Sequence, residues 1–167
     1  MDHFALPHDS LYKALENKTL HRNFMGYTSG KTEVMIGLGM SSISDSWYAF
    51  AQNVKTVEEY EQLVDKDEIP IFRGHLLNKE DLLIRKHILN IMCRLETSWA
   101  DKDMYFDEID EVLNRLQEMI DDGLVIIDKN SLTVPEHARP FIRNICMAFD
   151  LRLIRDKSST RIFSMTI

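Results

Sequence analysis

Leu20-His21-Arg22-Asn23-Phe24-Met25-Gly26-Tyr27, followed by Val34-Met35-Ile36-Gly37-Leu38-Gly39, is the stretch on which the reading of this chain turns. Short apolar strands are predicted around Asn23–Met25 and Val34–Leu38, and they are interleaved with an imidazole, a guanidinium, an amide and a thioether. Loops on a rigid scaffold are where binding residues concentrate, so residues 20–44 are the first candidate for a site. On the N-terminal side a helix is predicted from about Ser10 to Asn17, with Asp9 as its cap. On the other side Thr56 and Glu59 have the spacing of a capping box, opening a helix whose buried stripe would be Val57, Tyr60 and Val64, and a strand follows at Ile71–His75. This alternation reads as part of an α/β sheet too short to close.

The pattern changes near Asn78. Ile84, Ile88, Ile91 and Leu95 recur at helical spacing, as do Phe106, Ile109, Leu113, Leu116 and Ile120 on a second helix ending at Gly123, and the two are expected to face one another. Leu124–Ile127, the polar turn Asp128-Lys129-Asn130 and Leu132–Val134 read as a hairpin. Pro135 opens a last helix with the stripe Ile142, Ile145, Cys146, Phe149 and Leu153. The expected fold is therefore α+β: residues 1–77 as an unfinished strand and helix layer, and residues 78–167 as a mainly helical, winged-helix-like unit.

With 167 residues, 44% of them apolar, the chain can bury a real core. Its formal charge of −7 argues against general nucleic-acid binding, which depends on basic surface. The charge is uneven: residues 101–128 carry two basic against ten acidic side chains, whereas 135–167 carry six basic against three acidic. The arginines of that last segment read either as a solvated face with ion pairs, such as Arg143 with Asp150 or Asp156, or as carboxylate receptors, for which the guanidinium fork is suited. The N-terminus lacks a basic start followed by an apolar run, and no segment approaches the length of a membrane span, so a cytoplasmic protein without a membrane partner is expected.

Several strings carry more than composition does: Met1-Asp2-His3-Phe4-Ala5, Leu20-His21-Arg22-Asn23-Phe24 with Gly26-Tyr27-Thr28, Ser42-Ile43-Ser44, Tyr48 with Ala51-Gln52-Asn53, Arg73-Gly74, Arg143-Asn144-Ile145-Cys146-Met147 with Phe149-Asp150, and Phe163-Ser164. In order, and almost without gaps, they resemble the C-terminal part of the bacterial oxygen-independent coproporphyrinogen III oxidases. The resemblance implies a radical S-adenosylmethionine enzyme of haem biosynthesis, in which hydrogen is abstracted from two propionates of coproporphyrinogen III and carbon dioxide is lost. The family's CxxxCxxC motif for its [4Fe–4S] cluster is not in this sequence. The chain looks like roughly the last third of such an enzyme: the end of an incomplete (β/α) barrel, then the helical C-terminal domain. The isolated chain is expected to be inactive and unable to bind the cluster.

The resemblance also implies site residues. A Phe-Gln pair and an isoleucine of the family's second S-adenosylmethionine site fall on Phe24, Met25 and Ile43, so that Met25 stands where the family pattern has a glutamine. Read without the resemblance, Phe24 and Ile43 fit plain core packing equally well. Gly37-Leu38-Gly39 fits a backbone passing close either to a ligand or to another strand. Asp2 and His3 would sit at a barrel strand end, and equally at an exposed terminus. No catalytic residue and no metal site is assigned, since the six histidines show no ligand spacing and Cys93 and Cys146 read as small buried apolar groups. Trp47 and Trp99 are expected to be partly buried. An interaction module, a non-catalytic fragment or a haem-carrying relative of the oxidase are the other classes the sequence admits, and an unfinished sheet edge would favour self-association.

Overall fold

The computed structural model describes residues 4–155. Helix α1 (Ser10–Glu16) starts where expected, with the Asp9 carboxylate accepting the Leu11 N–H. It leads into a hairpin of β1 (His21–Asn23) and β2 (Gly26–Thr28). The strand predicted over Asn23–Met25 is thus the turn of this hairpin. Asn23 Oδ1 accepts the Met25 N–H at 2.8 Å and Gly26 adopts φ 130°, a geometry that an asparagine and a glycine supply and an apolar strand does not.

A four-stranded sheet follows, ordered β3 (Val34–Met35), β4 (Ile43–Ser46), β5 (Ala49–Asn53) and β6 (Ile71–Leu76), with every neighbouring pair antiparallel. This corrects two expectations. The strand over Val34–Leu38 pairs with β4 only through Val34 and Met35; Gly37 stays against the Ile43 backbone, but its N–H goes to the Ser44 hydroxyl instead of a ladder carbonyl. And the strand–helix–strand run β5, α2 (Val57–Val64), β6 does not make the parallel unit of a (β/α) barrel. Thr56 caps α2 through the Glu59 N–H, but α2 buries no residue; Val57 and Val64 stay exposed, so the helix does not pack across the sheet.

From Asn78 onward the chain builds the main hydrophobic cluster. Helix α3 (Lys79–Arg94) opens with a capping box in which the Asn78 side chain accepts the Asp81 N–H and Asp81 accepts the Asn78 N–H. It ends at Leu95, which takes a left-handed conformation. The second long helix is broken at Leu116 into α4 (Ile109–Arg115) and α5 (Gln117–Asp121). It does not face α3 as expected: α3 and α4 each pack on α6 (Ile142–Phe149), whose Ile142, Ile145, Cys146 and Phe149 are all buried. The expected hairpin forms as β8 (Ile126–Asp128) and β9 (Ser131–Thr133), and β9 also pairs with β7 (Glu96–Ser98). Pro135 precedes a 3-10 turn rather than a helix, and a break at Asp150 separates α6 from α7 (Leu151–Arg155).

All members of the buried cluster lie between Ile84 and Leu151, with Leu20, just before the hairpin, and Tyr27 of β2 packed against its edge. At its centre His87 stacks on Phe149 and tilts against Phe106, with ring centroids 5.7 and 5.2 Å away. Trp99 is fully buried in this cluster, whereas Trp47 lies under the cations of Arg85 and Lys31. Among the described residues no helix is long and apolar enough to cross a membrane.

Candidate functional site

Antiparallel register puts facing residues on the same side of a sheet, which defines the floor of the site. Met35, Asp45, Phe50 and His75 form one row across β3 to β6, and Ile43, Gln52 and Arg73 form the next. Arg73 Nε donates to Gln52 Oε1 at 2.9 Å within that second row. The hairpin lies over this face. Its Phe24 ring meets Phe50 edge-on, centroids 5.1 Å apart and planes at 85°.

Between hairpin, sheet face, α3 and the α6–α7 junction lies a cavity of about 440 Å³, walled by Arg22, Phe24, Phe50, His75, Ile84 and Arg85 among others. A larger hollow of about 700 Å³, between α1 and the 3-10 turn, is lined by Phe4, Tyr12 and Arg143 and holds none of the three candidate residues. Phe24 is 53% exposed, which removes the plain core reading for this ring. Met25 is 72% exposed at the hairpin tip. Ile43 is half-buried on the sheet face, one row from Phe50 and outside the cavity wall. The structure therefore brings Phe24 and Ile43 to one face and leaves Met25 at its rim.

The cavity is rich in charge. Arg85 Nη2 donates to both oxygens of Asp45, and its guanidinium lies 4.9 Å from the Phe50 ring centroid. Arg152 grips Asp81 through Nε and Nη2 at 2.5 and 2.8 Å, which holds the Asp81 carboxyl down at about 2. Arg155 holds both oxygens of Glu80 through Nη1 and Nη2, which lowers the Glu80 carboxyl below its ordinary range, and its guanidinium also meets Glu108. Burial, helped by Lys31 and Arg85, holds the His21 imidazole below its usual value.

The glycine segment is occupied by the protein itself. A Cβ on Gly37 would sit 2.8 Å from the Ile43 carbonyl oxygen, and the buried Asn53 amide donates to the Gly37 and Gly39 carbonyls at 3.1 and 2.9 Å. Ser44 Oγ and Tyr60 Oη accept the Gly37 and Gly39 N–H groups. Close packing of chain on chain is thus observed at Gly37, whereas a Cβ on Gly39 would meet nothing and that position is set by its φ of 92°.

Asp2, His3, Asp156 and Phe163-Ser164 lie outside the described residues. The expected Arg143–Asp150 pair is replaced by bridges reaching far along the chain: Arg152 to Asp81 and Arg155 to Glu80. Cys93 and Cys146 are free and buried. Among the described residues no three His, Cys, Asp or Glu side chains come together as a metal site. Sequence reasoning assigned no role to Arg22, Asp45, Phe50, His75 or Arg85. The repeated Arg and aromatic residues of the quoted strings were the available signal, but only the tertiary fold joins positions 40 residues apart.

Comparison with known proteins places this geometry. The solved structure of coproporphyrinogen III oxidase (HemN) from Escherichia coli, described as a radical SAM enzyme, overlaps 91% of this chain with a TM-score of 0.82 and 36% identity. The chain is thus a homologue of part of a radical S-adenosylmethionine enzyme. More particularly, it corresponds to the C-terminal portion of the oxygen-independent coproporphyrinogen III oxidases. It is 38% identical over its full length to the Escherichia coli enzyme of that name, covering 37% of it, and 34% identical to that of Synechocystis, covering 38%. The chain thus spans little more than a third of the curated relatives it matches. No protein-family model matches it.

Proposed function

We propose that this chain is the C-terminal part of an oxygen-independent coproporphyrinogen III oxidase, and that it supplies one wall of the pocket where such an oxidoreductase of haem biosynthesis holds S-adenosylmethionine and coproporphyrinogen III. The observation that carries the reading is the seat of Phe24: half-exposed, edge-on to Phe50, in a charged cavity instead of the core cluster. In this reading residues 1–77 adjoin the family's barrel through the sheet, and residues 78–167 form the winged-helix-like domain behind it. Phe24 and Ile43 offer S-adenosylmethionine an apolar surface. Met25 offers only its backbone and thioether where the family pattern has an amide.

The [4Fe–4S] cluster that supplies the radical chemistry of the family does not fit the residues here. A cluster needs several thiolates in one place, whereas burial pushes the Cys93 and Cys146 thiols up to about 11 and 12 and keeps them protonated. The chain's own contribution is binding and orientation. The test is a chimera in which this chain replaces the matching C-terminal part of the Escherichia coli enzyme, assayed anaerobically for consumption of coproporphyrinogen III. Turnover well above that of the enzyme lacking the segment is expected. A folded chimera that keeps its cluster and does not turn over would refute the reading.

A further inference from the structure

We infer that Arg22 is a receptor for a carboxylate group carried on an apolar stem, seated in the cavity between the hairpin, α3 and the sheet. The inference deepens the functional reading above and rests on it only for the identity of the natural ligand.

Among the described residues, each other charge lining that cavity already faces a partner. Arg85 is committed to Asp45, and Arg152 to Asp81. Glu80 is held by Arg155, and Asp150 Oδ1 accepts the Leu153 N–H. His75 Nε2 is also buried without a hydrogen bond, but it faces Asp81 Oδ2 at 3.5 Å. Arg22 differs: no hydrogen bond or ion pair reaches its guanidinium from the described residues, and its Nε is sealed from water without an acceptor. Its one contact of note is with the Tyr27 ring, 5.6 Å from Cζ to centroid.

A buried N–H without an acceptor is costly, the more so on a charged group, and native structures carry few of them. A cation–π contact offsets part of the charge but satisfies none of the in-plane donors. The guanidinium fork matches a carboxylate in geometry and charge. Next to it Phe24, Phe50, Ile84 and Ile88 give an apolar wall, so the acid group belongs on an apolar body. A propionate of a tetrapyrrole and the carboxylate of S-adenosylmethionine share this chemistry.

The 167-residue chain is titrated with 3-phenylpropionate and with 3-phenylpropanamide while its amide spectrum and the Arg22 Nε–H resonance are followed. The acid is expected to bind about tenfold or more tighter than the amide, the size of one charge-assisted hydrogen bond, and to shift the Arg22 Nε–H. Arg22→Gln should abolish the preference and Arg22→Lys retain part of it. Equal binding of acid and amide, or acid binding that survives Arg22→Gln, would overturn the inference. If Arg22→Gln fails to fold, the acid and amide pair on the unaltered chain still decides. Coproporphyrin III, S-adenosylmethionine and its decarboxylated form then separate the sources. Arg22-dependent binding of the porphyrin assigns a propionate, and a preference for S-adenosylmethionine over the decarboxylated form assigns its carboxylate. Binding of 3-phenylpropionate without either natural acid would keep the site and remove the proposed function. Loss of acid discrimination alongside an active chimera would do the reverse.

Discussion

Arg85, in the second turn of α3, holds Asp45 of β4 through hydrogen bonds of 2.9 and 2.8 Å from one Nη to both carboxylate oxygens, while its other Nη reaches the Trp47 carbonyl at 3.2 Å. Both side chains are nearly buried. The pair fastens the sheet, which has little core of its own, to the helical cluster. Breaking a buried pair from one side strands the other charge and costs more than replacing both. Asp45→Ala should therefore destabilise the chain by about 3 kcal/mol in chemical denaturation, and the double change Asp45→Leu, Arg85→Met should recover part of that loss. A single-site cost below about 0.5 kcal/mol would mean that the pair behaves as a surface bridge.

Acid should weaken the fold in two separate steps. His87 is buried; Met104 O can only accept, so Nε2 carries the proton and Nδ1 accepts from Thr97, each at 2.8 Å. Burial lowers its pKa below the usual 6.5, so the unfolded chain takes up the proton first and stability declines as pH falls through about 6.5. Asp81, held down at about 2 by Arg152, contributes stability that is complete above its ordinary 3.8 and is lost between there and about pH 2. Arg152 is half exposed, so this second step is on the order of 1 kcal/mol. Urea midpoints against pH check both, with His87→Gln expected to remove the upper step and Asp81→Asn the lower.

Local sequence chemistry was legible where one short-range interaction decides the structure. The Asp9 and Thr56 caps and the β8–β9 turn all stand where their residues imply. It misled where burial decides. Val57, Tyr60 and Val64 have the spacing of a buried stripe, yet only Tyr60 is partly covered, with its hydroxyl on the Gly39 N–H, and Val57 and Val64 stay exposed. Strand β7 escaped notice because Glu96-Thr97-Ser98 is polar and short, and pairing with β9 alone defines it. The break at Leu116 interrupts a helix whose apolar period runs through it unbroken. For the site, Phe24 and Ile43 could be named from a resemblance. The cavity around Phe24 depends on Arg85, Phe50 and His75, which no spacing rule connects to residue 24.

Hydrogen exchange should divide the chain along the same line. Residues 82–96, 108–120 and 140–153 lie on the core cluster and should be strongly protected, and residues 20–45 weakly. Val34, Ile36 and Leu38 are exposed at the β3 edge of the sheet, and an uncovered apolar edge is a template for pairing. Self-association rising with concentration is expected in sedimentation. A monodisperse monomer whose slowest amides lie in Val34–Leu38 would show that the sheet is stable by itself.

The two thiols give a chemical check on burial. With Cys93 and Cys146 pushed up to about 11 and 12, neither is a thiolate at neutral pH, and a thiol-reactive dye should label them only after denaturant is added. The chain should also stay colourless after anaerobic incubation with iron and sulfide. Stoichiometric iron uptake with cluster absorbance would contradict this.

Phe24→Ala, made in the Escherichia coli chimera and read by both melting and anaerobic turnover, tests most directly whether the hairpin builds a site or merely packs. The ring is half exposed and its main aromatic contact is the edge-on one with Phe50, so its removal should cost no more than about 1–2 kcal/mol of stability, well short of the roughly 3–5 kcal/mol of a buried phenylalanine. Turnover of coproporphyrinogen III by the folded enzyme should nonetheless fall by about tenfold or more, the equivalent of one lost contact of about 1.4 kcal/mol in the transition state. Unchanged turnover by the folded variant, with a stability loss in the range of a core phenylalanine, would show that Phe24 serves packing alone and that the cavity beside it is not the site.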